Sequence, residues 1–183
     1  MGRRESGFHR KAKRLLVEAG QRFGFKSQGE KTLIVRSKKF VVDVAWYGHD
    51  GLRAIFEVER GFTWDTMHVL GHLAVLNVYA QEFGSVLPCG FLFDENLKLR
   101  EGSSAHSSRL FYNWQWYVGA TRQPNMLDVT AIPVYWNRNV EFNVKNFNID
   151  TLSRELSLKL PSLAPSTKPK TALNAAGSER RSR

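Results

Sequence analysis

The sequence contains few of the residues that build disulfide-linked, zinc-binding or membrane-spanning proteins. Cys89 is the single cysteine among 183 residues, so no disulfide can form within the chain and a cysteine–histidine zinc site would lack ligands. No apolar run approaches the roughly 18 residues that a membrane helix needs. The basic start has no apolar segment behind it, which disfavours a secretory signal. These features predict a protein of the reducing cytoplasm.

Positive charge is concentrated at the two ends of the sequence. The formal net charge is +10, of which residues 1–14 contribute +5 and residues 161–183 contribute +4. Basic segments suit a polyanion, because each phosphate contact releases condensed counterions. The distribution predicts nucleic acid as the partner, although basic ends that only aid solubility would look the same. The residues expected to contact nucleic acid are Arg3, Arg4, Arg10, Lys11, Lys13, Arg14, Lys38 and Lys39.

Residues 7–93 show the clearest pattern, which predicts the order helix, strand, strand, strand, helix, strand. Apolar residues at helical spacing predict a first helix at 7–22, with Gly20 and Gly24 marking its end. Stretches rich in β-branched and aromatic residues predict the strands. The strands are expected at 32–36, 40–47, 52–59 and 86–93, with a turn at 48–51 and a long helix from Thr63 to about 83–84.

The sequence after Asp94 is less regular, and it predicts a β-rich extension at about 108–148. Strands are expected at 110–118, 126–136 and 140–144, a polar loop at 95–108, and a short helix at 151–160. Residues 1–160 are therefore predicted to form a single α/β domain with a mixed central sheet flanked by helices. Residues 161–183 are rich in proline, serine, alanine and basic residues, which predicts a disordered basic tail.

Three carboxylates are expected to converge on the hairpin around residues 48–51. A three-residue loop that pairs Gly48 with Leu52 sets Asp43 opposite Glu57, and two-residue loops shift this register by one. Paired residues share a face of the sheet, and Glu59 lies two positions beyond Glu57 on that face. Clustered carboxylates repel one another, and a divalent cation such as Mg²⁺ or Mn²⁺ relieves the repulsion. The alternative is a strand-edge charge cluster neutralised by nearby basic residues.

This arrangement resembles the PD-(D/E)xK superfamily of restriction-endonuclease-like nucleases. The resemblance covers residues 7–93 and is carried by Asp43 and by Glu57-Val58-Glu59 on the following strand. Val42 stands where the superfamily name has proline. Glu59 stands where it has lysine, so the sequence resembles the E-x-E variant. The resemblance implies a restriction-endonuclease-like core and an Mg²⁺-dependent or Mn²⁺-dependent nuclease.

The resemblance also implies roles for individual residues. Asp43, Glu57 and the main-chain carbonyl of Val58 would bind the metal, and Glu59 would be a further ligand or the general base. Glu18 on the first helix matches the position of a glutamate that completes some of these sites, although a solvated helix face explains it equally well. His68 and His72 have the spacing of metal ligands on a helix but lack the H-E-x-x-H pattern. They are therefore expected to be ordinary polar residues on one face of the helix and not zinc ligands.

Two functions follow as hypotheses. The first is a metal-dependent DNA endonuclease. A homodimer is consistent with this function, because cutting both strands usually requires two sites. The second is a catalytically inactive nucleic-acid-binding or assembly module with the same fold, which the absence of lysine between residues 40 and 97 favours. The aromatic segment 110–118 fits base stacking but is more typical of a core or an interface.

Overall fold

The computed structural model describes residues 6–60, 77–79, 82, 89–95, 129–136 and 138–164. The elements in these ranges are α1 (Gly7–Arg22), β1 (Lys26–Val35), β2 (Lys38–Gly48), β3 (Gly51–Arg60), β4 (Cys89–Glu95), β5 (Val129–Tyr135), α2 (Ile149–Lys159) and a 3-10 helix at Pro161–Leu163. Residues 77–79 and 82 are helical, within the long helix that the sequence predicts. No helix in the described part of the chain is long and apolar enough to cross a membrane.

The five strands form one mixed sheet in the order β1-β2-β3-β4-β5. β1, β2 and β3 are antiparallel neighbours, whereas β4 runs parallel to β3 and β5 runs parallel to β4. The predicted α/β class with a mixed sheet is confirmed. β5, expected in the β-rich extension, continues the central sheet beside β4. Pro133 lies on β5, the last of the five described strands, and end strands tolerate proline better than central ones do.

α1 and α2 pack against one face of the sheet and enclose the main core. Trp46 of β2 lies at its centre with no exposed surface. Its Nε1 donates a hydrogen bond to the Leu16 carbonyl of α1 at 3.0 Å, and its ring lies 4.4 Å from that of Phe56 on β3. Removing an aromatic side chain from such a core costs about 3–5 kcal/mol. Trp46 therefore fixes α1 on the first three strands.

The opposite face of the central strands is buried as well. Ala45, Ile55, Cys89, Phe91 and Phe93 all lie on it and are nearly or fully buried. β2, β3 and β4 are thus covered on both sides, which explains their nearly continuous apolar sequences. A carboxylate placed on this second face meets little water and needs protein donors or a positive charge.

Gly20, expected to mark the end of the first helix, lies inside α1 instead. An added Cβ at this position would overlap the Ser27 hydroxyl and the Trp46 indole, so the glycine permits the close approach of α1 to the sheet. α1 ends at Arg22, and Gly24 follows with a φ of +85°, a conformation that favours glycine. The predicted end of the helix is therefore correct. Gly24 marks that end, whereas Gly20 does not.

Two expectations for the C-terminal part are wrong. Residues 140–144 do not form a strand but make one isolated bridge to Tyr135, because Asn143 folds the segment into a turn by accepting from Lys145 N and Asn146 N at 2.9 and 3.0 Å. Residues 161–163, assigned to the disordered tail, form a 3-10 helix whose Leu163 is buried in the core. The predicted strand at 110–118 and residues 165–183 lie outside the described residues.

The glycine at the contact between α1 and the sheet supplies a stability prediction. Gly20→Ala should destabilise the protein by about 1–3 kcal/mol, the usual cost of adding a methyl group to a filled core. Gly7→Ala is the matched control, because nothing lies within 4 Å of a Cβ at that helical position. Urea unfolding of both variants measures the difference, and equal stabilities would contradict the close approach at Gly20.

Candidate functional site

The Asp43 carboxylate joins two strands and a helix. The paired positions of β2 and β3 run from Gly48–Gly51 to Val44–Phe56. One residue further along β2, the Asp43 side chain crosses to β3, and its Oδ2 accepts the Val58 N–H at 2.8 Å. Its Oδ1 lies 3.1 Å from Nε2 of His9 on α1. Since an ionised carboxylate only accepts hydrogen bonds, Nε2 is the protonated nitrogen of this pair.

The first turn of α1 places His9 beside Asp43. Ser6 is the N-cap of the helix, and its hydroxyl accepts the His9 N–H at 3.2 Å. This cap fixes the start of the helix and therefore the direction in which the His9 side chain leaves it. The His9 and Asp43 side chains are 28% and 19% exposed, so the pair is reached by solvent but is largely sheltered from it.

A second charged pair lies one helical turn further along α1. Lys13 Nζ is 2.6 Å from Glu30 Oε1 on β1. Glu30 occupies the β1 position opposite Asp43, between the pairs Gly29–Val44 and Lys31–Val42, and has a φ of +49°. This uncommon conformation for a non-glycine residue costs about 1–3 kcal/mol. Lys13 hydrogen-bonds to the Glu30 carboxyl and lowers its pKa.

The Asp43 carboxyl remains ionised in the neutral range. Burial raises the pKa of Asp43, because a partly desolvated anion is disfavoured. Hydrogen bonds from His9 and from the Val58 N–H lower this pKa, as do the charges of His9 and Lys13. The lowering effects prevail, so the pKa of Asp43 lies below its ordinary value.

Glu57 lies at the position of β3 that continues the pairing register to Asp43, since Val44 pairs with Phe56. It is only 5% exposed. Glu57 pairs with Phe91 of the neighbouring strand β4. Burial and the Glu57 charge both raise the pKa of the Cys89 thiol on that strand. Glu59 lies two positions further along β3 and is partly buried.

The described residues do not fit the expected three-carboxylate cage. No group of three or more His, Cys, Asp or Glu side chains among them is arranged to hold a metal ion. Both oxygens of Asp43 accept hydrogen bonds from protein donors instead. A cation at Asp43 would therefore have to compete with His9 for Oδ1.

Glu18, the other carboxylate expected at the site, lies elsewhere on α1. It is 45% exposed and lies 3.8 Å from Arg22, its i,i+4 neighbour. It lies nine positions after His9, which turns it about half a revolution away at roughly 100° per residue. His9 rather than Glu18 is therefore the α1 side chain beside Asp43.

The predicted nucleic-acid contacts are only partly described. Arg10, Lys11 and Arg14 are exposed on α1, and Lys38 and Lys39 are exposed at the start of β2. Arg3, Arg4, His68 and His72 lie outside the described residues.

His9 and Glu30 were not identified from the sequence. The sequence did contain information on where His9 lies. Ser6 is a favoured N-cap residue, which places His9 in the first turn of the helix, and the spacing from His9 to Lys13 places both on one helical face. For Glu30 no comparable signal exists, since its role depends on a local backbone conformation that glutamate rarely adopts.

The comparisons with known proteins identify no family. No protein-family model and no curated protein matches the chain. One solved structure, described as a protein of unknown function, AF1548, is similar with a TM-score of 0.39 and 8% sequence identity. The similarity covers 75% of this chain and 64% of that protein.

The lowered pKa of Asp43 predicts how stability depends on pH. A carboxyl with a lower pKa in the folded than in the unfolded chain contributes stability above the unfolded value of about 3.9, and the contribution is lost as the pH falls through the folded value. The stability advantage of wild type over Asp43→Asn should thus be largest at neutral pH and shrink towards pH 3.

Thermal unfolding of wild type and Asp43→Asn between pH 3 and 7 measures this change. In a His9→Ala background the pH dependence should be weaker, because one donor to the carboxylate is gone. An advantage that stays constant or grows on acidification would show that the ionised form of Asp43 is not the stabilising one.

Proposed function

We propose that this protein binds nucleic acid, with the exposed basic side chains of α1 as the principal described contact. Arg10 and Arg14 are four residues apart and therefore lie on one helical face, with Lys11 and Lys13 beside them. No acidic residue occurs in the first turn of α1. Among the described residues, Arg10 and Arg14 form no ion pair, so their charge faces outward. This concentration of cationic side chains on a rigid helix is the observation that carries the proposal.

The charge balance of the surrounding region supports the same function. Residues 6–60 hold twelve lysines and arginines against six carboxylates. Lys38 and Lys39 add exposed positive charge at the start of β2. A surface of this kind attracts a phosphate backbone without reading its sequence. We further propose that the core is restriction-endonuclease-like, since a helix, three antiparallel strands and a parallel fourth strand follow in the order that the resemblance implies.

Direct binding measurements test the proposal. The full chain should bind fluorescein-labelled DNA without added metal, and its affinity should fall steeply as the salt concentration rises. Arg10→Gln with Lys11→Gln should weaken binding about a hundredfold or more, because each charged hydrogen bond to phosphate contributes about 1.5–3 kcal/mol and two are lost.

The matched control is Arg154→Gln with Lys159→Gln, which removes the same charge from α2. These two residues pair with Glu141 and Glu155 in the structure. Undetectable binding by wild type at low salt would refute the proposed function. Equal losses in both double variants would instead show that net charge matters and α1 does not.

Metal-dependent hydrolysis of DNA is the second candidate function. It is favoured by the register that sets Asp43 opposite the buried Glu57, since two adjoining carboxylates attract a divalent cation. The His9 contact to Asp43 opposes it, because the imidazole occupies one of the oxygens that a cation would use.

Competition between His9 and a cation for the Asp43 carboxylate can be measured with Mn²⁺. If Asp43 is a ligand, Mn²⁺ should raise the melting temperature of His9→Ala more than that of wild type, and Asp43→Ala should abolish the shift. Cleavage of plasmid and single-stranded DNA with Mg²⁺ or Mn²⁺ is assayed in parallel. The hydrolase candidate is rejected if wild type and Asp43→Ala show neither a shift nor a difference in cleavage.

A further inference from the structure

A groove runs between α1 and β1 on the side of α1 that carries Lys13. Its described lining is Lys13, Arg14, Val17, Gly29 and Glu30, and its volume is about 380 Å³. This volume lies at the lower end of the range of about 300–1,000 Å³ that is typical of small-molecule sites. The groove is therefore large enough for the backbone of one strand and too small for a whole duplex to enter.

The lining of the groove combines cationic and apolar surface. Arg14 and the largely buried Lys13 supply positive charge, whereas Val17 and Gly29 contribute to a lining that is mainly apolar. Phosphate groups pair with the cations, and the sugar of the same nucleotide packs against the apolar lining. A mainly apolar lining beside two cations therefore suits the sugars and phosphates of one strand.

Glu30 places a negative charge in the same groove. Its carboxylate lies 2.6 Å from Lys13 Nζ, yet the Glu30 side chain is 69% exposed whereas that of Lys13 is 14% exposed. Because the Glu30 carboxylate of this pair is well hydrated, its attraction to Lys13 is screened and contributes little to stability. A phosphate that enters the groove can therefore displace Glu30 from Lys13 at small cost to the fold.

We propose that the groove between α1 and β1 binds the sugar–phosphate backbone of single-stranded DNA and that Glu30 weakens this binding by competing for Lys13. The inference rests on the proposed nucleic-acid binding and assigns it to a particular site. It also predicts that removing the Glu30 carboxylate strengthens binding more than removing a carboxylate that lies outside the groove.

Fluorescence anisotropy with labelled oligothymidine and the full-length protein tests the charges. Glu30→Gln should tighten binding several-fold, whereas Glu141→Gln should change it little. Glu141 is the matched control, because its exposed carboxylate also pairs with a cation at 2.6 Å, that of Arg154, but lies outside the groove. Arg14→Gln should weaken binding about tenfold and lower the salt slope by about one. The control is Arg53→Gln, which removes the same charge from the β2–β3 turn beside Asp50.

A steric variant tests the location independently of charge. A Cβ at Gly29 would meet only ordinary contacts at 3.8 Å, so Gly29→Leu should fold and fill the groove. It should weaken binding of the oligonucleotide, whereas Thr32→Leu on the opposite face of β1 should not. Melting temperatures establish that each variant is folded.

The outcomes separate the inference from the function on which it rests. If wild type binds no DNA, the proposed function fails. If wild type binds but Gly29→Leu and the groove charge variants behave like their controls, nucleic-acid binding stands and the groove is rejected. Equal affinity for a duplex of the same length, with equal sensitivity to Gly29→Leu, would overturn the assignment to a single strand.

Discussion

The contacts of the Asp43 carboxylate hold together α1, β2 and β3. It belongs to β2, accepts the main-chain N–H of Val58 on β3, and pairs with His9 on α1. A buried N–H that loses its acceptor, or a sheltered carboxylate that loses its donors, costs about 1–3 kcal/mol or more. The three elements are therefore held together by one charge that none of them could stabilise alone.

A one-residue shift in the pairing of β2 with β3 determines which β3 residue is aligned with Asp43. The turn pairs Gly48 with Gly51, and continuing that register along the strands would set Asp43 against Phe56 of β3. A shift between Trp46 and Tyr47 moves the pairing by one residue, so that Val44 meets Phe56 and the next position aligns Asp43 with Glu57. Because side chains alternate between the faces of a sheet, this shift exchanges an apolar neighbour for an acidic one.

The sequence was sufficient to predict α1, the hairpin and the β2–β3 register to within one residue, because helical periodicity and strand alternation are local properties. The partners of the carboxylates were not local. His9 reaches Asp43 across 34 positions, and Glu30 meets Lys13 only because its backbone adopts a positive φ. The place of β5 beside β4 likewise depends on long-range pairing that residue type does not encode. Motif spacing thus located the acidic residues without revealing which donors they use.

The carboxylates beside α1 and the exposed cations on α1 contribute differently to the structure. Asp43 and Glu30 each have a donor on α1, His9 and Lys13 respectively, so their charge is balanced within the fold. Arg10 and Arg14, on the same helix, are exposed and form no ion pair among the described residues, so their charge acts on the surroundings. Asp43 consequently fixes the first turn of α1 through His9, and the helix in turn holds its outward cations in one place. A partner with regularly spaced negative charges gains affinity from this rigidity, since little side-chain and backbone order has to be created on binding.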